Sequence, residues 1–257
     1  MNEFKHKKVL ITGAGKGIGK ACAIRFASDG AVVVVNYLSS EKDAIHTAGL
    51  VEKAGGRAIP ARGDLGNEKE VAGLWKEANA DGNPPVVLVL NAAYQKKCTF
   101  EETTPELLRE TFDVNIVGNF QLAKLFIDQC RERGINGRIV IHSSNQGEFV
   151  NPTAFGYALS KAALNHMVRH LARAVAADGI RVNGVILGWF DTEGERAFYS
   201  GEQIRQQAAR TIPVKRVGEP SEAASLTYFL ASDASSYMTG SLVRYDGGFS
   251  LDPDLST

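Results

Sequence analysis

Tyr157 and Lys161 close the run Tyr157-Ala158-Leu159-Ser160-Lys161. That i, i+4 spacing sets them on one face of a helix, one turn apart. A free phenol has a pKa of about 10 and exchanges protons poorly near neutrality. A lysine cation beside it favours phenolate, lowers that value and makes the phenol a usable general acid or base. In isolation such a pair is usually a helix-surface contact, so its meaning depends on the surroundings. Thirteen residues upstream, Ser144 ends Gly137-Arg138-Ile139-Val140-Ile141-His142-Ser143-Ser144. A serine emerging at the C-terminal end of a strand stands where α/β sheets keep their sites. Its hydroxyl suits donation to a substrate carbonyl oxygen while Tyr157 moves the proton. Ser143 is the alternative, but its side chain alternates to the other face.

A second cluster lies near the start. Thr12-Gly13-Ala14-Gly15-Lys16-Gly17-Ile18-Gly19 follows a strand and opens a helix. Glycines permit a tight turn and a close backbone approach, and the helix N-terminus offers unpaired N–H groups to a pyrophosphate. The register is not G-x-G-x-x-G from Gly13, because the sixth position is Ile18. An NAD site of this kind usually carries an acid at the end of the second strand. Val32-Val33-Val34-Val35-Asn36-Tyr37-Leu38-Ser39-Ser40 has none. Lys16, with Asn36, Ser39 and Ser40 as neutral donors, suits a 2′-phosphate instead, which favours NADP over NAD. The bland alternative is a solvated loop lysine.

Holding both clusters requires alternating elements. Aliphatic runs predict strands at 8–12, 31–36, 57–61, 86–91, 137–142, 180–186 and 241–245. Helices are expected near 17–29, 40–54, 67–80, 104–133, 154–178 and 220–231. Strands that are apolar throughout suit a parallel sheet covered on both faces, and strict alternation points to right-handed crossovers. The expected fold is a single-domain α/β Rossmann-type doubly wound parallel sheet over 1–257. The segment 188–213, with Trp189, Phe190, Phe198 and Tyr199, breaks the rhythm and reads as a substrate lid. The aromatics equally serve as anchors of the lid itself.

Composition excludes other classes. With 29 basic and 29 acidic residues in 257, the chain lacks the basic excess of a nucleic-acid binder. Its apolar fraction of 44% exceeds that of disordered chains. Cys22, Cys98 and Cys130 are odd in number and widely spaced, against a disulfide framework or zinc module. The aliphatic runs are too short to span a membrane, and the start shows no signal-peptide core, so a cytoplasmic protein is expected. His166 and His170 have helical i, i+4 spacing but no third ligand, so helix packing is the reading and no metal is expected. His142 is expected as a strand residue beside the site, and Cys98 near its mouth.

The spacing T-G-x-x-x-G-x-G, the pair Tyr157 and Lys161, Ser144 ahead of them, Asn115 in Asp113-Val114-Asn115 and the late Asp246-Gly247-Gly248 fall in one order along nearly the whole chain. Together they resemble the short-chain dehydrogenase/reductase family. The resemblance implies an Asn115–Ser144–Tyr157–Lys161 tetrad, with Lys161 also holding the nicotinamide ribose and Asn115 keeping a water relay. It implies cofactor contacts from Gly13 to Gly19, from Asp64 and Leu65 to the adenine, from Asn91 and Ala92, and from Gly188, Phe190 and Thr192 near the nicotinamide. Asp64 reads alternatively as a helix N-cap. Two positions depart from the family pattern. Leu90-Asn91-Ala92-Ala93 stands for N-N-A-G, and Leu187-Gly188 for Pro-Gly, both beside the cofactor. The implied activity is NAD(P)-dependent interconversion of a carbonyl and a secondary alcohol, on a sugar or a 3-oxoacyl compound, by a homotetramer. The competing reading is a binding or regulatory protein on the same fold, without turnover.

Overall fold

The first strand, β1 (Lys8–Ile11), is wholly buried and pairs in parallel with β2 (Val32–Tyr37) on one side and β4 (Pro85–Leu90) on the other. A computed structural model describes residues 3–196 and 199–251. Its sheet has seven parallel strands in the order β3-β2-β1-β4-β5-β6-β7, with β3 (Arg57–Arg62), β5 (Arg138–Ser144), β6 (Arg181–Leu187) and β7 (Leu242–Tyr245). Strand order reverses between β1 and β4, and a crevice opens there beyond the carboxyl ends of the strands.

Alternation along β1 shows how the two faces are filled. Val9 and Ile11 join Cys22, Phe26, Ala223 and Leu230, so α1 (Gly17–Ala27) and α9 (Pro220–Ala231) cover that face. Leu10 joins Val71, Leu74, Phe126, Leu164 and Val168 on the other face. There α3 (Glu68–Ala78), α5 (Asn119–Arg133) and α6 (Phe155–Val175) lie. Helix α2 (Glu41–Lys53) joins β2 to β3. The two edge strands depart from buried apolar runs: β3 is half-exposed and tolerates Pro60, and β7 carries the exposed Arg244.

The helix expected over 104–133 is divided. Between α4 (Pro105–Phe112) and α5, residues Asp113–Gly118 form a π-helical turn. Gly118 is required there, because a Cβ would come within 2.0 Å of the Leu65 carbonyl oxygen. The segment 188–213, expected without helices, holds α7 (Glu193–Arg196) and α8 (Gly201–Thr211). Ser200 and Gln203 form a capping box at the start of α8, a signal readable in Ser-Gly-Glu-Gln.

Candidate active site

Three members of the expected tetrad meet at the carboxyl ends of β5 and β6. Ser144 ends β5 and Tyr157 and Lys161 rise from the first turns of α6. All three line a cleft of about 520 Å³. Lys161 is 3% exposed, and its Nζ donates to the His142 carbonyl at 2.9 Å, 5.3 Å from the Tyr157 ring centre. Ser143 turns the other way, as strand alternation requires, and its hydroxyl donates to the Lys161 carbonyl at 3.2 Å.

The electrostatics correct one expectation. Burial pushes Tyr157 up to about 12; the hydrogen-bonded Ser144 pulls it down, and the Glu195 carboxylate raises it further. Burial likewise pushes Lys161 down to about 8. The lysine cation therefore does not bring the phenol into the neutral range, because desolvation is the largest influence on both groups. At neutral pH the phenol keeps its proton and the amine its charge.

Asn115 stands apart from the cleft. It is wholly buried in the π-helical turn, where its Oδ1 accepts from the Tyr94 N–H at 2.7 Å. Its Nδ2 donates to the Tyr94 carbonyl and to Ser160 Oγ, at 3.0 and 2.9 Å. Even its carbonyl accepts from Asn119 Nδ2. Its reach to the site runs through Ser160, the neighbour of Lys161.

His142 is a buried brace rather than a base. Burial and the Lys161 charge push it down to about 3, so the ring is neutral. Asn91 Nδ2 donates to the Thr12 and Gly13 carbonyls, which leaves Asn91 Oδ1 to accept from His142 Nδ1 at 3.0 Å. The network thus assigns the proton to Nδ1, and Nε2 lies 2.8 Å from Thr227 Oγ1, whose hydroxyl also lies 2.8 Å from the Ala223 carbonyl. Thr12 Oγ1 accepts from the N–H groups of Asn91 and Ala92, which ties the end of β4 to the glycine turn.

That turn fits a dinucleotide. Gly13 and Gly17 have φ of 62° and 59°, and a Cβ at Gly19 would lie 2.4 Å from the Gly13 carbonyl oxygen. Lys16 at the N-cap of α1 makes no side-chain cap. An anion already takes that place: Glu193 Oε2 accepts from the Gly17 N–H at 2.9 Å, and Glu193 Oε1 pairs with Lys20. A carboxylate on the helix N-terminus is the chemistry a pyrophosphate needs. Neither Lys20 nor Glu193 carried a sequence signal, since they meet only through the fold.

The adenosine end is less uniform. Lys16 is exposed, with its Nζ 3.9 Å from Asp43, and Ser39 is exposed as well. Asn36 is 2% exposed: its Oδ1 accepts from the Gly13 N–H at 3.1 Å, and its Nδ2 donates to the Ala61 and Gly63 carbonyls. It supports the turn and offers no free donor to a ligand. Asp64 accepts from the Gly66 N–H, while Asn67, not Asp64, caps α3. Leu65 is in the core.

At the far end of the cleft, Gly188 lies against Asp246, where a Cβ would come within 2.5 Å of the backbone. Thr192 and Ile18 line the cleft, as does Phe190, whose ring is packed against Gly218. Leu90 and Leu187 are both core residues, and Leu187 keeps β6 in register with Ser144. Cys98, expected at the mouth, is buried with its Sγ near Thr103 Oγ1. Burial pushes Cys22 and Cys130 up to about 12, so both thiols are inert. His166 and His170 are exposed, not packed, with Nε2 atoms 3.1 Å apart. Among the described residues no group of three metal-ligating side chains occurs. Phe198 lies outside the described residues.

The family profile described as enoyl-(acyl carrier protein) reductase matches residues 13–250. The chain is 36% identical to a glucose 1-dehydrogenase of Gluconobacter oxydans over 250 residues, 97% of this chain and 94% of that one. It is 33% identical to 3β-hydroxysteroid dehydrogenase 1 of Eggerthella lenta, over 98% of this chain and 97% of that one. A solved structure from Agrobacterium tumefaciens, provisionally named a 2-deoxy-D-gluconate 3-dehydrogenase and holding NADP, superposes with a TM-score of 0.87. It is 25% identical and covers 98% of this chain and 99% of that one.

Proposed function

The chain belongs to the short-chain dehydrogenase/reductase family, and from that premise we propose that it reduces and oxidises a polyhydroxylated, sugar-like substrate with NADP(H). Interconversion of a carbonyl and a secondary alcohol is the chemistry of the family. The substrate proposal rests on the cleft wall: around Tyr157 stand Gln95, Asn145, Gln146, Asn151 and Gln207, with Trp189 and Phe149 as flat apolar faces. Gln146 Oε1 is buried there without a hydrogen-bond partner, an acceptor waiting for a hydroxyl. Amides beside aromatics suit a sugar ring better than an acyl chain. The relative named for glucose supports the same class.

Bound at the glycine turn, the dinucleotide supplies the hydride. The residues of the chain do the rest. Ser144 and Tyr157 donate to the carbonyl oxygen and stabilise the charge that grows on it. Tyr157 then gives its proton, which its high affinity for protons permits only as that oxygen becomes an alkoxide. Lys161, charged and held by the His142 carbonyl, favours the phenolate that remains. Asn115 holds Ser160 and the Tyr94 backbone, so the first turns of α6 stay in register with the cleft. In oxidation the proton moves back to Tyr157. The described parts of 188–213 serve as the lid: Trp189 and Glu195 close one side of the cleft.

Mixing the chain with NADPH or NADH and reading cofactor fluorescence, then absorbance loss with aldoses, ketoses and 3-oxoacyl thioesters, tests this reading. Turnover of sugars supports it. Turnover of the thioesters alone would replace the substrate class, and binding without turnover of any carbonyl would favour a binding protein.

Two further expectations belong here. Lys16→Ala is expected to weaken NADP(H) and leave NAD(H) nearly unchanged, with equal losses showing that Lys16 holds only the turn. Asn36→Asp, the obvious change toward NAD, is expected to cost about 1–3 kcal/mol of stability, because it sets a carboxylate against two buried carbonyls. A melting temperature equal to that of the unaltered chain would contradict this.

The assembly we propose is a tetramer on α5 and α6. Val117, Phe120 and Leu159 are 52%, 49% and 43% exposed on or beside these helices, an apolar face suited to a two-fold contact. Light scattering at micromolar concentration is expected to give about four times 27.7 kDa; the mass of one chain would refute it. A cytoplasmic location fits three free, buried cysteines.

A further inference from the structure

Glu193 reaches back from α7 to the first turn of α1, 176 positions away in sequence, and accepts from the Gly17 N–H at 2.9 Å. Its other oxygen pairs with Lys20. Both groups belong to the place where the glycine turn would receive a pyrophosphate. A phosphate and this carboxylate cannot share that N–H and that cation, since each is an anion that needs the same donors.

The same short helix touches the other end of the site. Glu195 Oε2 accepts from Trp189 Nε1 at 3.0 Å, and Glu195 lines the cleft whose inner wall is Tyr157. The Glu195 N–H in turn donates to Thr192 Oγ1 at 3.3 Å. Residues 192–196 therefore form one small unit with an acid at each side. One acid lies on the cofactor turn, and the other faces the reacting end.

We infer that Glu193 is a latch: it occupies the pyrophosphate site of the free chain, and entry of the dinucleotide displaces it, moving α7 and with it Glu195 and Trp189 at the substrate cleft. The latch rests on the NAD(P) reading of the glycine turn. Lys20, released by Glu193, then pairs with the incoming phosphate, a cofactor contact that no motif in the chain announces. The pair is built to yield. The Glu193 side chain is 48% exposed and that of Lys20 25%, and ion pairs so open to water hold weakly. Displacement also takes a negative charge away from Tyr157, where the Glu195 carboxylate opposes phenolate formation. Cofactor entry would thus ready the proton donor as well as fill its own site.

The test compares Glu193→Gln and Lys20→Met with the unaltered chain. NADPH binding is read by fluorescence enhancement, and melting temperature is read with and without saturating NADPH. Glu193→Gln removes the competing charge and keeps the shape, so Kd for NADPH is expected to fall about three- to tenfold. Lys20→Met is expected to raise it by a similar factor. Without NADPH, Glu193→Gln should melt below the unaltered chain; with NADPH bound the difference should vanish, because the latch is then open in both. Inorganic pyrophosphate alone should speed amide hydrogen exchange in Glu193–Arg196 of the unaltered chain. An unchanged or higher Kd in Glu193→Gln, or an equal loss of melting temperature with and without NADPH, overturns the latch and leaves Glu193 a helix cap. Failure of the unaltered chain to bind NADPH or NADH would instead remove the cofactor reading itself.

Discussion

Tyr157→Phe is expected to lower turnover at least about a hundredfold, the lower range for loss of general acid–base catalysis. The substitution deletes one oxygen from a ring that is only partly exposed, so the packing of α6 on the cleft is kept. What goes is the proton: with the hydroxyl held up at about 12 by burial, the phenol, hydrogen-bonded with Ser144, is fully protonated at neutral pH. Ser144 alone can polarise a carbonyl but has no comparable route to deliver a proton. Cofactor fluorescence titration should give a dissociation constant within about twofold of the unaltered chain, since RT ln 2 is small against any direct contact. Turnover within a few-fold of the unaltered chain on a confirmed substrate would remove Tyr157 from the chemistry.

A loss of turnover of the same order is expected for Lys161→Met, with the opposite consequence for folding that a buried salt-bridge partner would have. Burial pushes the Lys161 ammonium down from 10.5 to about 8. Between those values the unfolded chain binds the proton that the folded chain has released, so stability rises with pH across that window. Below about 8 both states hold the proton, and the folded chain carries the full disadvantage of a buried cation. Met fills the same volume without the charge and relieves it. Against this, the His142 carbonyl loses its donor, at about 1–3 kcal/mol. The two effects oppose each other, so the melting temperature at pH 7 should stay near that of the unaltered chain while activity is lost. The rise in stability from pH 8 to 10 should also be smaller in Lys161→Met. A collapse of the melting temperature at pH 7 would show that Lys161 is a structural brace first. Activity within tenfold would show that the phenolate needs no cation.

Much of this molecule is written in local patterns. The i, i+4 pair in Tyr157-Ala158-Leu159-Ser160-Lys161 needs only a helix to bring its members together, and α6 supplies it. The glycine turn needs positive φ at Gly13 and Gly17, which side-chain-free residues adopt without strain. The apolar runs become the buried strands of a parallel sheet, because continuous Val, Leu and Ile leave no face for water. For such features sequence alone suffices, since the physical cause lies within one or two turns of chain.

The remainder was decided by residues far apart in sequence. Whether Asn36 is a ligand donor or a brace depends on the Gly13, Ala61 and Gly63 backbones around it, which engage both its side-chain oxygen and its amide nitrogen. Asn115 is named by its place in the motif order, yet only the fold shows that it lies in a π-helical turn with Tyr94 and Ser160 as its side-chain partners. The proton affinity of Tyr157 follows from how much of the fold closes over it, so a neighbouring lysine could not predict its direction. Glu193 meets Gly17 only because the end of β6 and the end of β1 open into the same crevice. Spacing determines which groups share a face, whereas burial and long-range hydrogen bonds depend on what the whole sheet brings against that face, and that is settled only when the chain has folded.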